Sequence, residues 1–197
     1  VALNHHMTMV GHFEELKYSP TLRFVVFGAF TYTVVSFQGS LESLRHVSEV
    51  VHFTHYTVGH AHLGLYGFFT MIMFGSMYYI VPRLTSWEWG STRLIRWHFW
   101  TTAVGIVVYF LSLTWAGWFQ GLKMNNPEVP WIRIVADTVP YLVSRSVAGT
   151  LMTIGHVLFA MLFVQNILKL SPQRTGPAYF NEKAPVPLET VASGEPR

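Results

Sequence analysis

Four stretches of this chain carry no Asp, Glu, Lys or Arg: Phe24–Leu41, Val50–Pro82, Trp97–Leu122 and Ser146–Leu168, of 18, 33, 26 and 23 residues. A helix needs about 20 mostly apolar residues to cross the roughly 30 Å hydrocarbon core of a bilayer. Within lipid the backbone must pair with itself, which leaves only helices and closed barrels. The stretches lack the alternation, in segments of roughly ten residues, that marks barrel strands. The expected fold is therefore all-α: a polytopic membrane helix bundle with four transmembrane helices, at about 22–44, 50–82, 97–121 and 142–169.

Composition agrees and excludes other classes. The chain is 51% hydrophobic and 12% charged, against roughly 25% charged in an ordinary soluble domain. A cytosolic enzyme and a disordered chain both fall away. The chain has no cysteine, which excludes a disulfide scaffold and thiolate metal sites. A net charge of +3 gives no argument for nucleic acid. A cleaved signal peptide does not fit, because the first apolar stretch follows a polar, His-bearing segment and three more come after it.

Loop charges give an orientation. One side carries Lys17, Arg23, Arg83, Arg93, Arg96, Lys169, Arg174, Lys183 and Arg197, and the other Arg45, Lys123, Arg133 and Arg145. The positive-inside rule then puts the N-terminal segment, the Arg83–Arg96 loop and the C-terminus in the cytoplasm. Residues 1–170 form the membrane segment. The tail, 171–197, with Pro at 172, 177, 185, 187 and 196, reads as disordered and cytoplasmic. Val1–Val10 reads as the end of an apolar helix running into a loop, as if the chain were the back part of something longer. No internal repeat stands out.

The second stretch contains VVHFTHYTVGHAHLGLYGFF, with histidines at 52, 55, 60 and 62. A histidine at membrane depth is costly without a partner and is by default a functional-site candidate. His60 and His62 are two apart, about 200° around a helix of 3.6 residues per turn. They point to opposite faces and cannot chelate one ion. This spacing suits a helix standing between two flat cofactors and giving each an axial nitrogen. Gly59, Gly64 and Gly67 would let a porphyrin plane approach. The plainer alternative is interior histidines bonded to neighbouring helices. His52 and His55 sit at the non-cytoplasmic mouth of the helix, as does Arg145 at the start of the last helix. His98 and His156 read as structural; His5, His6 and His12 read as loop residues at the cytoplasmic end.

HFTHYTVGHAHLGLYGFFTMIMFGSMYYIVPRL resembles the tenth transmembrane helix of the catalytic subunit of haem–copper oxidases, most closely the cbb3-type cytochrome c oxidases. NHHMTMVGHFEELKYSPTLRFVVFGAFTYTVVSFQGSL and RSVAGTLMTIGHVLF are similar to that subunit too. The resemblance implies that His60 is the axial ligand of a high-spin haem b3, the catalytic centre. It implies that His62 ligates a low-spin haem b and that His52 lies near the haem propionates; His55 and Arg145 are propionate candidates by position and charge alone. It further implies a terminal respiratory oxidase of the bacterial inner membrane, reducing oxygen to water with electrons from cytochrome c and coupled to proton translocation. The partners implied are the upstream part of subunit I, c-type cytochrome subunits and membrane lipid. The family's copper B has its ligands upstream of this chain, so the chain alone would be incomplete. His5–His6 lie closer to His60 than the family's paired copper histidines do. Two other readings stand beside this one: a nitric oxide reductase-like haem subunit, and a cofactor-free membrane proton-relay or transport subunit.

Overall fold

The computed structural model describes residues 2–175. Its helices are α1 (Ala2–Met9), α2 (Pro20–Glu42), α3 (Arg45–Val51), α4 (His55–His62), α5 (Met71–Thr85), α6 (Thr92–Met124) and α7 (Trp131–Ile167). A short 3-10 turn, Phe13–Lys17, leads into α2, and a wide-turned segment, Leu63–Thr70, joins α4 to α5 without a break. Four spans are long and apolar enough to cross a membrane: Pro20–Glu42, His55–Thr85, Thr92–Met124 and Trp131–Ile167. Large apolar side chains such as Phe30, Leu65, Phe69, Trp97, Trp100 and Val147 face outward. Such a surface belongs in lipid or against other membrane helices.

Polar caps start these helices. Ser19 accepts from the Leu22 N–H with Pro20 behind it, and Ser91 accepts from the Leu94 N–H. Three expected boundaries move. The last helix begins at Trp131 rather than 142, continuing through Pro140, because its first turns tolerate charge. There Asp137 meets Lys123 of α6 at 2.6 Å and Arg133 one turn back. The third helix extends outward from the apolar stretch at both ends, taking in Arg93, Arg96 and Lys123.

The expected continuous helix over 50–82 is interrupted at His52–Thr54. Phe53 adopts φ +62°, a left-handed conformation unusual for an aromatic residue. Thr54 then restarts the helix, its Oγ1 accepting from the Tyr56 N–H and donating to the Val51 carbonyl.

Two other expectations are corrected. His5 and His6 lie on α1, not in a loop, and His6 Nε2 is hydrogen-bonded to Thr33 Oγ1 at 2.8 Å, near the middle of α2. The paired histidines therefore pack along α2 and not at its cytoplasmic end. The tail also starts ordered. Glu88 N–H donates to the Pro172 carbonyl and Arg174 N–H to the Ser86 carbonyl. Arg174 pairs with Glu88 at 2.5 Å, and Ser171 is buried. These bonds tie residues 171–174 to the α5–α6 loop. The rest of the expected disordered tail, from 176 on, lies outside the described residues.

The packing is layered around small residues. α6 and α7 approach closely where a Cβ on Gly105 would strike Met152 and one on Gly155 would strike Thr102. At the end of the bundle that holds the α5–α6 loop, Phe24, Phe74, Tyr78 and Phe99 form an aromatic core between α2, α5 and α6.

Candidate functional site

The break before α4 is seated on one face of α6. A Cβ on Gly117 would overlap the Tyr56 backbone, and one on Gly121 would overlap the Val50 carbonyl. Between them Gln120 Oε1 accepts from the His55 N–H at 3.0 Å. Asn125 Nδ2 adds a bond to the Glu49 carbonyl at 3.0 Å. Two glycines and two carboxamides thus fix where α4 starts, and with it the direction in which each later side chain points.

His60 leans towards α2. A Cβ on Gly39 would lie 3.0 Å from its Cε1. The ring is 28% exposed, while its Nδ1 is enclosed and has no hydrogen-bond partner. The nearest anionic atom to that nitrogen is Glu42 Oε1, 4.0 Å away and itself enclosed and without a partner.

His62 leans towards α6. Its Nδ1 lies 2.8 Å from the Val58 carbonyl, which can only accept. Nδ1 is therefore the protonated nitrogen and Nε2 carries the lone pair. Tyr109 Oη donates to that Nε2 at 3.3 Å, with the two rings 4.8 Å apart.

The two histidines thus face different helices, as their spacing predicts, and no group of three or more His, Asp or Glu is gathered for a metal among the described residues. The wide-turned segment begins immediately after His62. Such local widenings re-aim side chains and recur at functional sites. Of the three flanking glycines, only Gly64 faces room, since its Cβ would meet nothing closer than Val35 at 3.6 Å. Gly59 instead serves packing against Leu113 and Thr114 of α6, and Gly67 against Thr31 of α2.

An axial haem ligand needs one ring nitrogen with a free lone pair, the other held by the protein, and access on the free side. His62 has the first two, and Tyr109 must turn aside to give the third. His60 has its Nδ1 turned inward beside a carboxylate and its Cε1–Nε2 edge close to Gly39 of α2, with 28% of the side chain exposed. Both imidazoles have the donor chemistry that a haem iron takes.

The other candidates divide. His55 begins α4 with its N–H held by Gln120, and Arg145 lies several turns inside α7 rather than at its start. His52 ends α3 outside the α4 helix, exposed, with its ring on Phe53 at 4.0 Å. It lines a groove with Arg45, Glu49 and Asn125. His98 is fully buried, bonded through Nδ1 to Tyr78 Oη at 2.7 Å. His156 meets Tyr66 Oη at 3.0 Å. Gln38, Glu42, Tyr109 and Gln120 are not legible as site residues in the sequence. Glu42 ends a charge-free stretch and reads there as a boundary marker. Gln38 and Glu42 do stand four apart, the one signal that they share a face.

Residues 1–151 match the family described as Cytochrome C and Quinol oxidase polypeptide I. The chain belongs to this family. It is 33% identical over 169 residues to cytochrome c oxidase subunit 1 of Rhodobacter capsulatus, covering 80% of this chain and 31% of that protein. It is 30% identical over 165 residues to the cbb3-type cytochrome c oxidase subunit CcoN1 of Stutzerimonas stutzeri, covering 80% and 35%. A nitric oxide reductase subunit of Stutzerimonas stutzeri is 26% identical over 146 residues, covering 68% and 31%. The chain spans about a third of the length of these curated relatives. A heme-copper terminal oxidase dimer solved by cryo-EM shares the fold, with a TM-score of 0.68 at 19% identity, covering 93% of this chain and 36% of that one. This oxidase-family chain is an integral membrane protein, with its four apolar spans arranged as in that neighbour.

Proposed function

We propose that the chain is the haem-bearing part of a terminal respiratory oxidase that reduces oxygen to water with electrons from cytochrome c, coupled to proton translocation. His60 would hold the iron of the high-spin haem b3, and His62 that of the low-spin haem b. The observation that carries this reading is the pair of imidazoles two residues apart on one helix, one turned to α2 and the other to α6. Each has its Nδ1 directed into protein. The haems, when bound, supply redox-active iron and, at the high-spin centre, an open coordination position.

This chain's residues hold and tune. Val58 fixes the His62 tautomer, and the α6 glycines fix the register of α4. His55 at the start of α4 and Arg145 inside α7 would offer hydrogen-bonding and cationic groups to propionates, with His52 on the exposed rim before α4. The residues for copper B and a further ligand of haem b would come from the rest of subunit I, and electrons from c-type cytochrome subunits. The C-terminus lies on the cytoplasmic face of the bacterial inner membrane, which the distribution of basic residues supports.

The test is an optical spectrum of the purified complex with His60→Ala and His62→Ala. The first is expected to remove the high-spin signature and the second the low-spin one. Retention of both signatures in both variants would overturn the assignment. The nitric oxide reductase reading is favoured by the 26% identity to a subunit of such an enzyme. Comparing oxygen with nitric oxide consumption by the complex separates the two.

A further inference from the structure

We propose that the cleft between the first turns of α2 and α6 binds one anionic phospholipid. Its phosphate sits on Arg23, Arg96 and Lys17, and an acyl chain lies on the aromatic floor below. The two helices carry the same pattern. On α2, Arg23 is followed at three, four and seven residues by Val26, Phe27 and Phe30; on α6, Arg96 is followed at three and four by Phe99 and Trp100. At helical spacing each set is one stripe, a cation at its head and apolar groups beneath. The stripes meet in a groove of about 410 Å³ that Leu16 also borders. Phe27 and Phe99 join the helices there edge to face, with ring centroids 6.0 Å apart. From Arg23 to Phe30 the groove runs about 10 Å into the apolar layer. A second hollow of about 430 Å³ adjoins it, lined by Leu16, Lys17, Arg23, Arg96 and Trp100.

The head of the cleft is built and its charge is uncompensated. Arg23 Nε donates to the Leu16 carbonyl and Nη2 to the Lys17 carbonyl, each at 2.6 Å. These bonds fold the short turn before α2 back onto the cleft and orient the guanidinium, which keeps further N–H groups for an anion. Neither Arg23 nor Arg96 meets a carboxylate among the described residues. Lys17 pairs with Glu14 at 3.1 Å, but both side chains are largely exposed, and such pairs are weak.

Charge and shape together name the occupant. Cations above an apolar floor, beside an exposed tryptophan at the membrane interface, match a phosphodiester and its acyl chain. Inorganic phosphate would leave the rings uncovered. A neighbouring helix would have to bring a carboxylate to the same depth, at a cost; a phospholipid carries its anion at the interface by construction. The inference is independent of the haem assignment, and the loop orientation decides only which leaflet supplies the lipid.

The experiment is native mass spectrometry of the whole complex released from nanodiscs of phosphatidylglycerol and phosphatidylcholine in equal amounts. The wild type is expected to retain one phosphatidylglycerol that Arg96→Gln loses, with the retained phosphatidylcholine unchanged. The ratio of lipid-bound to lipid-free complex for that molecule should fall about fivefold for the one cation removed. Arg96 has no partner to lose, and an unchanged haem spectrum shows that the bundle is intact. Phe30→Ala keeps every cation and is expected to lower the same ratio, because the acyl chain loses part of its floor. Equal retention of phosphatidylglycerol in the wild type and Arg96→Gln overturns the site. A fall in Arg96→Gln alone, with Phe30→Ala at the wild-type ratio, reduces it to anion binding at the surface and overturns the cleft. A protein segment occupying the groove would give no retained phosphatidylglycerol in any form, which overturns it as well.

Discussion

Two histidine environments sit in one bundle and obey opposite rules. His98 is fully buried, hydrogen-bonded to Tyr78 and ringed by Phe24, Phe74 and Phe159 at centroid distances of 4.5–5.5 Å. Its neighbours are all α2, α5, α6 and α7 side chains already in contact. His60 is 28% exposed, has no hydrogen bond, and faces a carboxylate it does not touch. The same residue type is packed core in one place and a partly open candidate ligand in the other. What separates them is enclosure: each has one enclosed ring nitrogen without a partner, Nε2 of His98 and Nδ1 of His60, but only the His60 ring reaches the surface.

That contrast can be broken most directly by alanine at each histidine. His60→Ala is expected to abolish oxygen consumption by the complex and the high-spin haem signature, with little change in thermal stability of the protein fold. His98→Ala is expected to do the reverse. Removing a buried ring from a packed aromatic cage leaves a cavity and an unpaired Tyr78 hydroxyl, a cost of about 3–5 kcal/mol by analogy with large-to-small core changes. Thermal denaturation together with the haem spectrum reads both. Haem loss in His98→Ala at temperatures where the helices remain folded would contradict a structural role for that residue.

Much of the bundle is legible in the sequence because lipid enforces one rule: charges stop where the hydrocarbon begins. Phe24–Leu41 falls within Pro20–Glu42, and Ser146–Leu168 overlaps almost wholly with α7. The rule fails at helix ends, where long side chains reach out of the apolar layer and charges pair across helices, as Lys123 and Asp137 do. It also fails at the break before α4. His52–Thr54 lies within an uninterrupted charge-free run, and the signal for the break is on another helix, in Gly117, Gln120 and Gly121. The HxH pair is legible because helical spacing alone decides that its members diverge. Glu42 and Tyr109 are not, since their approach depends on how α2 and α6 dock. His6 is misread for the same reason, being adjacent in sequence to a loop but adjacent in space to Thr33.

The docking of the break sharpens the comparison next. Gly121→Val places a branched side chain where the Val50 carbonyl now lies. Rigid backbone must move, with an expected cost of about 3 kcal/mol. Since the same contact orients α4, both haem signatures should weaken together. The His98 cage should keep its packing, which a near-ultraviolet circular dichroism spectrum of the aromatic residues would monitor. Selective loss of one haem would show instead that α4 is oriented locally, by Thr54 and the wide-turned segment.

A smaller effect is expected inside the cage. Tyr78→Phe keeps the ring and its contacts with Phe24 and Trp89 but leaves His98 Nδ1 without its partner, at a cost of about 1–3 kcal/mol. The haem spectra should be untouched, because the cage and the ligand helix share no hydrogen bond.

The smallest change is the most informative about His62. Tyr109→Phe removes a single hydrogen bond of 3.3 Å to Nε2, worth about 1 kcal/mol or less in the haem-free chain. The Nδ1 bond to Val58 and the ring contact both remain. If Nε2 belongs to iron, that hydroxyl must already be displaced in the haem-loaded complex, so Tyr109→Phe should leave the low-spin spectrum and the oxygen consumption rate at wild-type values. Any stability change would appear only in the haem-free form. A loss of low-spin haem in Tyr109→Phe would mean that the hydroxyl stays on His62 in the complex. Its Nε2 would then be satisfied by protein, and His62 would be, like His98, a structural residue.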